Sequence, residues 1–188
     1  MKIISGEYKG RSLKTTTGPG LRPAMAKVRE ALFSMLEARG VIWAQTNILD
    51  LYAGTGSLGF EALSRGASQV TFVEKAPYAA KTITANIDLL GVEGHRVNVV
   101  QQDVAQFLIK AKARPYSLVF IDPPYQLNTL TKTVHQLIKY NWLADKAIVN
   151  AEIEARLKIQ PETLHEQLEL LDDRAYGQTR VVLWTAKA

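Results

Sequence analysis

From residue 47 onward, short apolar runs alternate with helical stretches: NILDLY, SLGFEALSRG, SQVTFVEK, PYAAKTITANIDLLG, RVNVVQQD, VAQFLIKAKA and YSLVFIDPPY. Strands with so few polar residues are buried on both faces, and a helix between each pair supplies the crossover that parallel strands need. The alternation therefore predicts βαβ units in an open α/β sheet with helices on both sides. A helix over 128–140 and a fifth strand in KAIVNAEIE continue the pattern. The ending differs, because LHEQLELLDDRAYGQTRVVLWTA reads as two strands joined through Tyr176, Gly177 and Gln178, a hairpin that adds an antiparallel pair. Ahead of this core, KII and GRSL flank SGEYKG as a short hairpin, and TTTGPGLRP is turn-rich. AKVREALFSMLEARG then puts Val28, Ala31, Leu32, Met35 and Leu36 at helical spacing before a stop at Gly40. The expected organisation is one domain over 1–188, with a hairpin and helix extension over 1–40 and the α/β core over 47–188.

Composition narrows the function classes. At 47% hydrophobic and 22% charged residues, the 188-residue chain can bury a core of its own. No apolar run approaches the ~18–20 residues that span a bilayer, and MKIISGEYKG has no apolar stretch of an export signal, so a cytoplasmic protein without membrane contact is expected. Cysteine is absent, which removes disulfides, thiolate zinc, iron–sulfur clusters and cysteine nucleophiles. His95, His135 and His165 lie in different elements with no ligand spacing, so no metal is expected. The net charge is +5, yet residues 1–29 alone carry Lys2, Lys9, Arg11, Lys14, Arg22, Lys27 and Arg29 against Glu7, a net +6. A basic N-terminal segment on an otherwise balanced chain points to a polyanion such as nucleic acid, or to a merely solvated charged face.

Three constellations carry chemistry. In Asp50-Leu-Tyr-Ala53-Gly54-Thr-Gly56-Ser-Leu-Gly59, a strand runs into a glycine turn and then a helix, so a ligand can approach the backbone at Gly54 and Gly56. Glu74, 20 residues after Gly54, ends the next strand, where a carboxylate holds ribose hydroxyls. GTGSLG also fits the dinucleotide fingerprint, so a nicotinamide enzyme is a rival. Against it stands Asp50, a carboxylate beside the loop that suits an ammonium group better than a pyrophosphate. S-adenosylmethionine has that ammonium, a ribose and no phosphate. Asp103 follows the third strand and opens a helix; alone it is an N-cap, but with Asp50 and Glu74 it makes a third acid at a strand end, where adenine's amino group finds an acceptor. Last, Asp122-Pro123-Pro124-Tyr125 follows SLVFI. Two prolines remove two backbone donors, leaving an acceptor-rich pocket with an aromatic side chain. A nucleobase –NH₂ complements it, the amine held by Asp122 and a loop carbonyl while the ring stacks on Tyr125.

The order Asp50, Gly54-x-Gly56, Glu74, Asp103, Asp122-Pro-Pro-Tyr125 resembles the class I S-adenosylmethionine-dependent methyltransferases that modify exocyclic amines. IISGEYKGRSL, GLRPAMAKVREALFSML and AYGQTRVVLW are similar to one family among them, the bacterial small-subunit ribosomal RNA guanine-N2 methyltransferases (RsmD type), with Ala24 and Ala26 standing where that family usually has Thr and Asp. The resemblance spans essentially the whole chain. It implies a Rossmann-like seven-stranded methyltransferase sheet, mostly parallel with an antiparallel C-terminal hairpin, plus the short basic N-terminal hairpin and helix. It also implies S-adenosyl-L-methionine across the ends of the first three strands, held by Asp50, Ala53, Gly54, Gly56, Glu74 and Asp103. Catalysis would fall to Asp122, Pro123, Pro124 and Tyr125. The RNA would be met by Lys9, Arg11, Lys14, Arg22 and Arg29, although the last two also suit packing near the cofactor. The implied reaction is methylation of N2 of one guanosine in small-subunit rRNA, in an assembled or partly assembled particle, by a monomer. The rivals are a DNA or RNA adenine-N6 or cytosine-N4 methyltransferase, which uses the same pocket chemistry, and a silent RNA-binding module.

Overall fold

Seven strands form one sheet in the order β3-β2-β1-β4-β5-β7-β6. The computed structural model describes residues 1–15, 22–123 and 127–187, the side chains of 22–25 and 127 excepted. The strands are β1 (Asn47–Leu51), β2 (Gln69–Val73), β3 (Val97–Val100), β4 (Tyr116–Ile121), β5 (Leu143–Glu154), β6 (Leu168–Tyr176) and β7 (Thr179–Ala186). The helices are α1 (Arg22–Ala38), α2 (Ser57–Ser64), α3 (Pro77–Leu90), α4 (Val104–Lys110) and α5 (Leu127–Lys139). β1 to β5 pair in parallel, and β7 lies antiparallel between β5 and β6. The C-terminal hairpin turns through Gly177, at φ +61°, as its sequence predicts.

Alternation along the central strands divides the core between two faces. Ile48, Phe72, Leu118 and Phe120 pack with α1, α2 and α3, while Leu49, Leu51, Val119 and Ile121 pack with α4 and α5. Burial on both faces is what the continuous apolar runs require. Trp142 and Trp184 lie wholly inside the second layer, and each indole N–H donates to a carbonyl, of Leu108 (3.0 Å) and Pro161 (2.8 Å).

The N-terminal hairpin differs from its prediction. Ile3 N–H donates to the Arg11 carbonyl, Gly10 N–H to that of Ile3 and Leu13 N–H to that of Met1, yet only Lys2 and Ser12 form an antiparallel bridge. The reason is that the intervening donors are used elsewhere. Ile4 and Ser5 N–H bond the Glu61 carboxylate (2.8 and 3.0 Å), and Glu7 and Tyr8 N–H bond Ser64. The arch is thus docked on α2, with Ile3, Tyr8 and Leu13 buried in the first layer. α1 begins at Arg22, earlier than periodicity indicates, with Pro23 in its first turn, where a missing N–H costs nothing.

The sheet order reverses between β1 and β4, since β2 leads away on one side and β4 on the other. A crevice outside the carboxyl ends of these strands is where open α/β sheets bind ligands.

Candidate active site

A cleft of about 320 Å³ opens at that reversal, lined by Tyr52, Glu74, Lys75, Asp103, Val104, Asp122 and Pro123. Each strand from β1 to β4 delivers at least one of these residues just past its end. Glu74 reaches back across the glycine turn, its Oε2 accepting Gly54 N–H at 2.9 Å and its Oε1 accepting Ala76 N–H at 2.8 Å. Asp103 caps α4 by accepting Gln106 N–H at 3.2 Å and still lines the cleft, so the capping bond does not take it out of the site. Three carboxylates against Lys75 make the cleft net acidic, which fits a sulfonium and an ammonium. A pyrophosphate at the turn would stand among these carboxylates and compete with Glu74 for the Gly54 N–H.

Two expectations about the glycine turn change. Gly54, at φ +55°, has open space where a Cβ would stand, as ligand approach demands. Gly56 does not face a ligand: at φ +82° a Cβ there would lie 2.7 Å from the Phe60 ring, so glycine is needed for packing and backbone conformation. Asp50 is also displaced from its expected role. It is only 2% exposed, lies beneath the turn and accepts Gly59 N–H at 3.0 Å; direct pairing with a ligand ammonium is not available to it. Burial pushes Asp50 up to about 8, against the Gly59 bond and with help from Asp122 and Glu74. Ala53 is tied to β2 by its N–H, which donates to the Val73 carbonyl at 3.2 Å.

Asp122 directly follows β4, open to the cleft and hemmed by protein on its other sides; desolvation pushes it up to about 6. Pro123 lines the same wall. Pro124 and Tyr125 lie outside the described residues, as does the Arg22 side chain. Tyr52 is the site residue that pattern reading passes over. It adopts φ +58°, unusual for a non-glycine, and its hydroxyl bonds that of Thr133 on α5 at 2.8 Å, which turns the ring onto the cleft wall. A tyrosine between Asp50 and Gly54 looks like strand continuation, and nothing in its spacing marks the left-handed turn. Lys75 and Val104 also line the cleft, each next to an acid that the sequence marks, Glu74 and Asp103.

The basic residues separate. Lys9 and Lys14 are exposed. Arg11 is spent on α3, its guanidinium donating to the Leu90 carbonyl at 2.9 Å and to that of Leu89, which completes the helix C-terminus. Arg29 must be corrected outright as an RNA contact. It is 4% exposed, donates to the Lys2 carbonyl at 2.8 Å and lies 3.6 Å from Glu61, so no phosphate reaches it.

The family model described as "Conserved hypothetical protein 95" matches residues 1–185. The chain belongs to that family. An Escherichia coli relative, "Ribosomal RNA small subunit methyltransferase D", is 38% identical over 188 residues, covering 100% of this chain and 91% of its own. A Haemophilus influenzae protein of the same description is 35% identical over 178 residues, 94% of this chain and 89% of its own. The solved structure of "Putative methyltransferase yhhF from Escherichia coli" superposes with a TM-score of 0.87 at 32% identity, covering 100% of this family member and 98% of that chain. The seven-stranded sheet with its antiparallel C-terminal strands is thus the expected one and is shared with that methyltransferase structure.

Because Glu74 both bridges the turn and faces the cleft, Glu74→Ala should weaken S-adenosylmethionine by roughly 10- to 100-fold, the worth of charge-assisted bonds to a ribose. Calorimetry checks this, and an unchanged affinity would remove Glu74 from the cofactor site.

Proposed function

We propose that this family member transfers the methyl group of S-adenosylmethionine to the exocyclic N2 of one guanosine in small-subunit rRNA, within an assembled or partly assembled subunit. The observation that carries the reading is the position of Asp122. It is an acceptor just past β4 on the wall of the acidic cleft, with β5 as the next strand beyond. The cleft residues suit the cofactor: Glu74 for the ribose hydroxyls, Asp103 for the adenine amino group, and the open face of Gly54 for close backbone approach. Bound there, S-adenosylmethionine supplies an electrophilic methyl on a sulfonium centre.

Asp122 accepts one N–H of the incoming amine, turning its lone pair out of conjugation and toward the methyl carbon. The N–C bond forms as the C–S bond breaks, S-adenosylhomocysteine leaves, and the acidic proton of the methylated amine departs to Asp122 or through it to water. Positioning supplies much of the rate. Pro123, Pro124 and Tyr125 complete the acceptor pocket in this reading, with Tyr125 stacking on the base, as expected for a base splayed from a loop.

Lys9 and Lys14 are exposed and meet phosphate in this scheme, whereas Arg11 is held on α3. Replacing both lysines with Gln should lower the slope of log K against log salt by about 1.4–1.8 units, at about 0.7–0.9 per contact, with cofactor affinity unchanged. An unaltered slope would move the RNA surface elsewhere. For the reaction as a whole, small-subunit rRNA from cells with and without the gene should differ by one N2-methylguanosine on nucleoside mass spectrometry. A missing N6-methyladenosine or N4-methylcytidine instead would overturn the guanine assignment.

A further inference from the structure

Glu152 of β5 takes no part in the scheme above, and its position makes it more than a buried acid. Ala151 pairs with Ile121 in the parallel register of β5 and β4, so Glu152 is the next residue along β5, level with Asp122. It points to the face of the sheet that carries α1, as the pairing of Glu152 with Val181 of the first core layer indicates. Glu152 thus stands beside Asp122 on the side away from Glu74 and Asp103. Displacement at a methyl carbon brings the nucleophile from the face opposite the leaving group. A cleft walled by β1 to β4 on one side of Asp122 therefore leaves the β5 side for the acceptor base.

Glu152 is also short of donors. Its nearest cationic influence is Arg29, but that guanidinium is turned to the Lys2 carbonyl and to Glu61, and among the described residues no ion pair joins it to Glu152. Two residues earlier on the same face of β5, the Asn150 side chain is wholly buried with its Oδ1 lacking a partner. Burial and the charges of Asp122 and Asp50 push Glu152 up to about 8, with Arg29 pulling the other way. Near neutral pH that favours the carboxylic acid, and a ligand that brings two adjacent N–H donors favours the ionised carboxylate, whose two oxygens then both accept.

We infer that Glu152 reads the Watson–Crick edge of the target guanine, its two carboxylate oxygens accepting N1–H and one N2–H while Asp122 accepts the other N2–H. This rests on the guanine-N2 reading above. Among the standard bases only guanine presents a ring N–H next to an exocyclic amine on that edge; adenine offers an acceptor at N1 and would face a carboxylate lone pair. Glu152 then acts as a specificity-determining residue, and Asp122 orients the amine for transfer.

The test uses small subunits reconstituted with rRNA in which the methylated guanosine is replaced by 2-aminopurine riboside, which keeps the exocyclic amine but has an unprotonated N1. The wild-type chain should methylate guanosine about 10- to 100-fold faster than 2-aminopurine, the discrimination of one bidentate contact. Glu152→Gln, whose amide can donate to N1, should shrink that ratio at least tenfold by slowing guanosine and sparing 2-aminopurine, with S-adenosylmethionine affinity within about twofold of wild type. A merely structural role would slow both substrates alike, and an unchanged ratio with N2-methylguanosine still formed would overturn the role of Glu152 alone. If the wild-type product is not N2-methylguanosine, both the inference and the reading it rests on fall.

Discussion

Asp122→Ala should lower the single-turnover rate of methyl transfer by about 10²–10⁴-fold, the range for removal of a group that handles the reacting proton or orients its bearer. Cofactor affinity should be largely kept, because Glu74 and the glycine turn hold their geometry without it. Asp122→Asn retains a carbonyl acceptor and should keep partial activity. Acid should mimic the loss in the wild-type chain. Burial raises Asp122 to about 6, so its ionised acceptor is present above that pH and is lost as pH falls through it. Asp50 of β1 and Glu152 of β5 lie within its electrostatic reach, with Glu74 acting on Asp50 and Arg29 of α1 acting on Glu152. An Asp122→Ala variant with wild-type turnover would remove this residue from the mechanism.

Glu61→Ala should be the most destabilising single change, by about 3–5 kcal/mol, because it strips the partner from several buried groups at once. Glu61 is fully buried and accepts Ile4 N–H, Ser5 N–H and Arg65 Nε–H, with Arg29 Nε 3.6 Å away and without another partner. Its loss leaves the Ile4 and Ser5 N–H groups and Arg29 Nε without an acceptor and Arg65 with Glu37 alone, and the arch is then tied to α2 only through Ser64. For a chain of this size, at roughly 2–4 °C per kcal/mol, calorimetry should record a Tm lower by about 6–20 °C. A fall of less than a degree or two would mean that the arch is held by its apolar residues Ile3, Tyr8 and Leu13 instead.

The strand and helix order was legible because each central strand is buried on both faces and therefore must be written in apolar residues. The C-terminal hairpin was legible because Gly177 has to supply a positive φ between two β-prone runs. Glu74 and Asp122 lie on the cleft for a related reason, since an acid directly after an apolar strand stands at its carboxyl end, and Asp103 does so as the cap of the helix that follows β3.

What escaped depends on contacts distant in the chain. The arch at residues 2–13 pairs with itself through Ile3, Gly10 and Leu13, but the donors of Ile4, Ser5, Glu7 and Tyr8 find Glu61 and Ser64, more than fifty residues away. Arg29 looked like a surface cation because charge in a basic segment is read as exposed; the same Glu61 draws it inside. Asp50 was placed in the ligand site by its nearness to the glycine turn, although alternation along β1 points it at Gly59 beneath α2. Glu152 was hidden because one acid in KAIVNAEIE gains meaning only when the parallel register sets it beside Asp122.

The most direct measurement is a single-turnover reaction of the purified chain with S-adenosylmethionine carrying a deuterated methyl, on small subunits from cells lacking the gene, followed by digestion and mass spectrometry of the nucleosides. The account predicts one deuterated methyl per subunit, on N2 of guanosine, with the wild-type chain and almost none with Asp122→Ala. Label on another base, or equal label with Asp122→Ala, would contradict it.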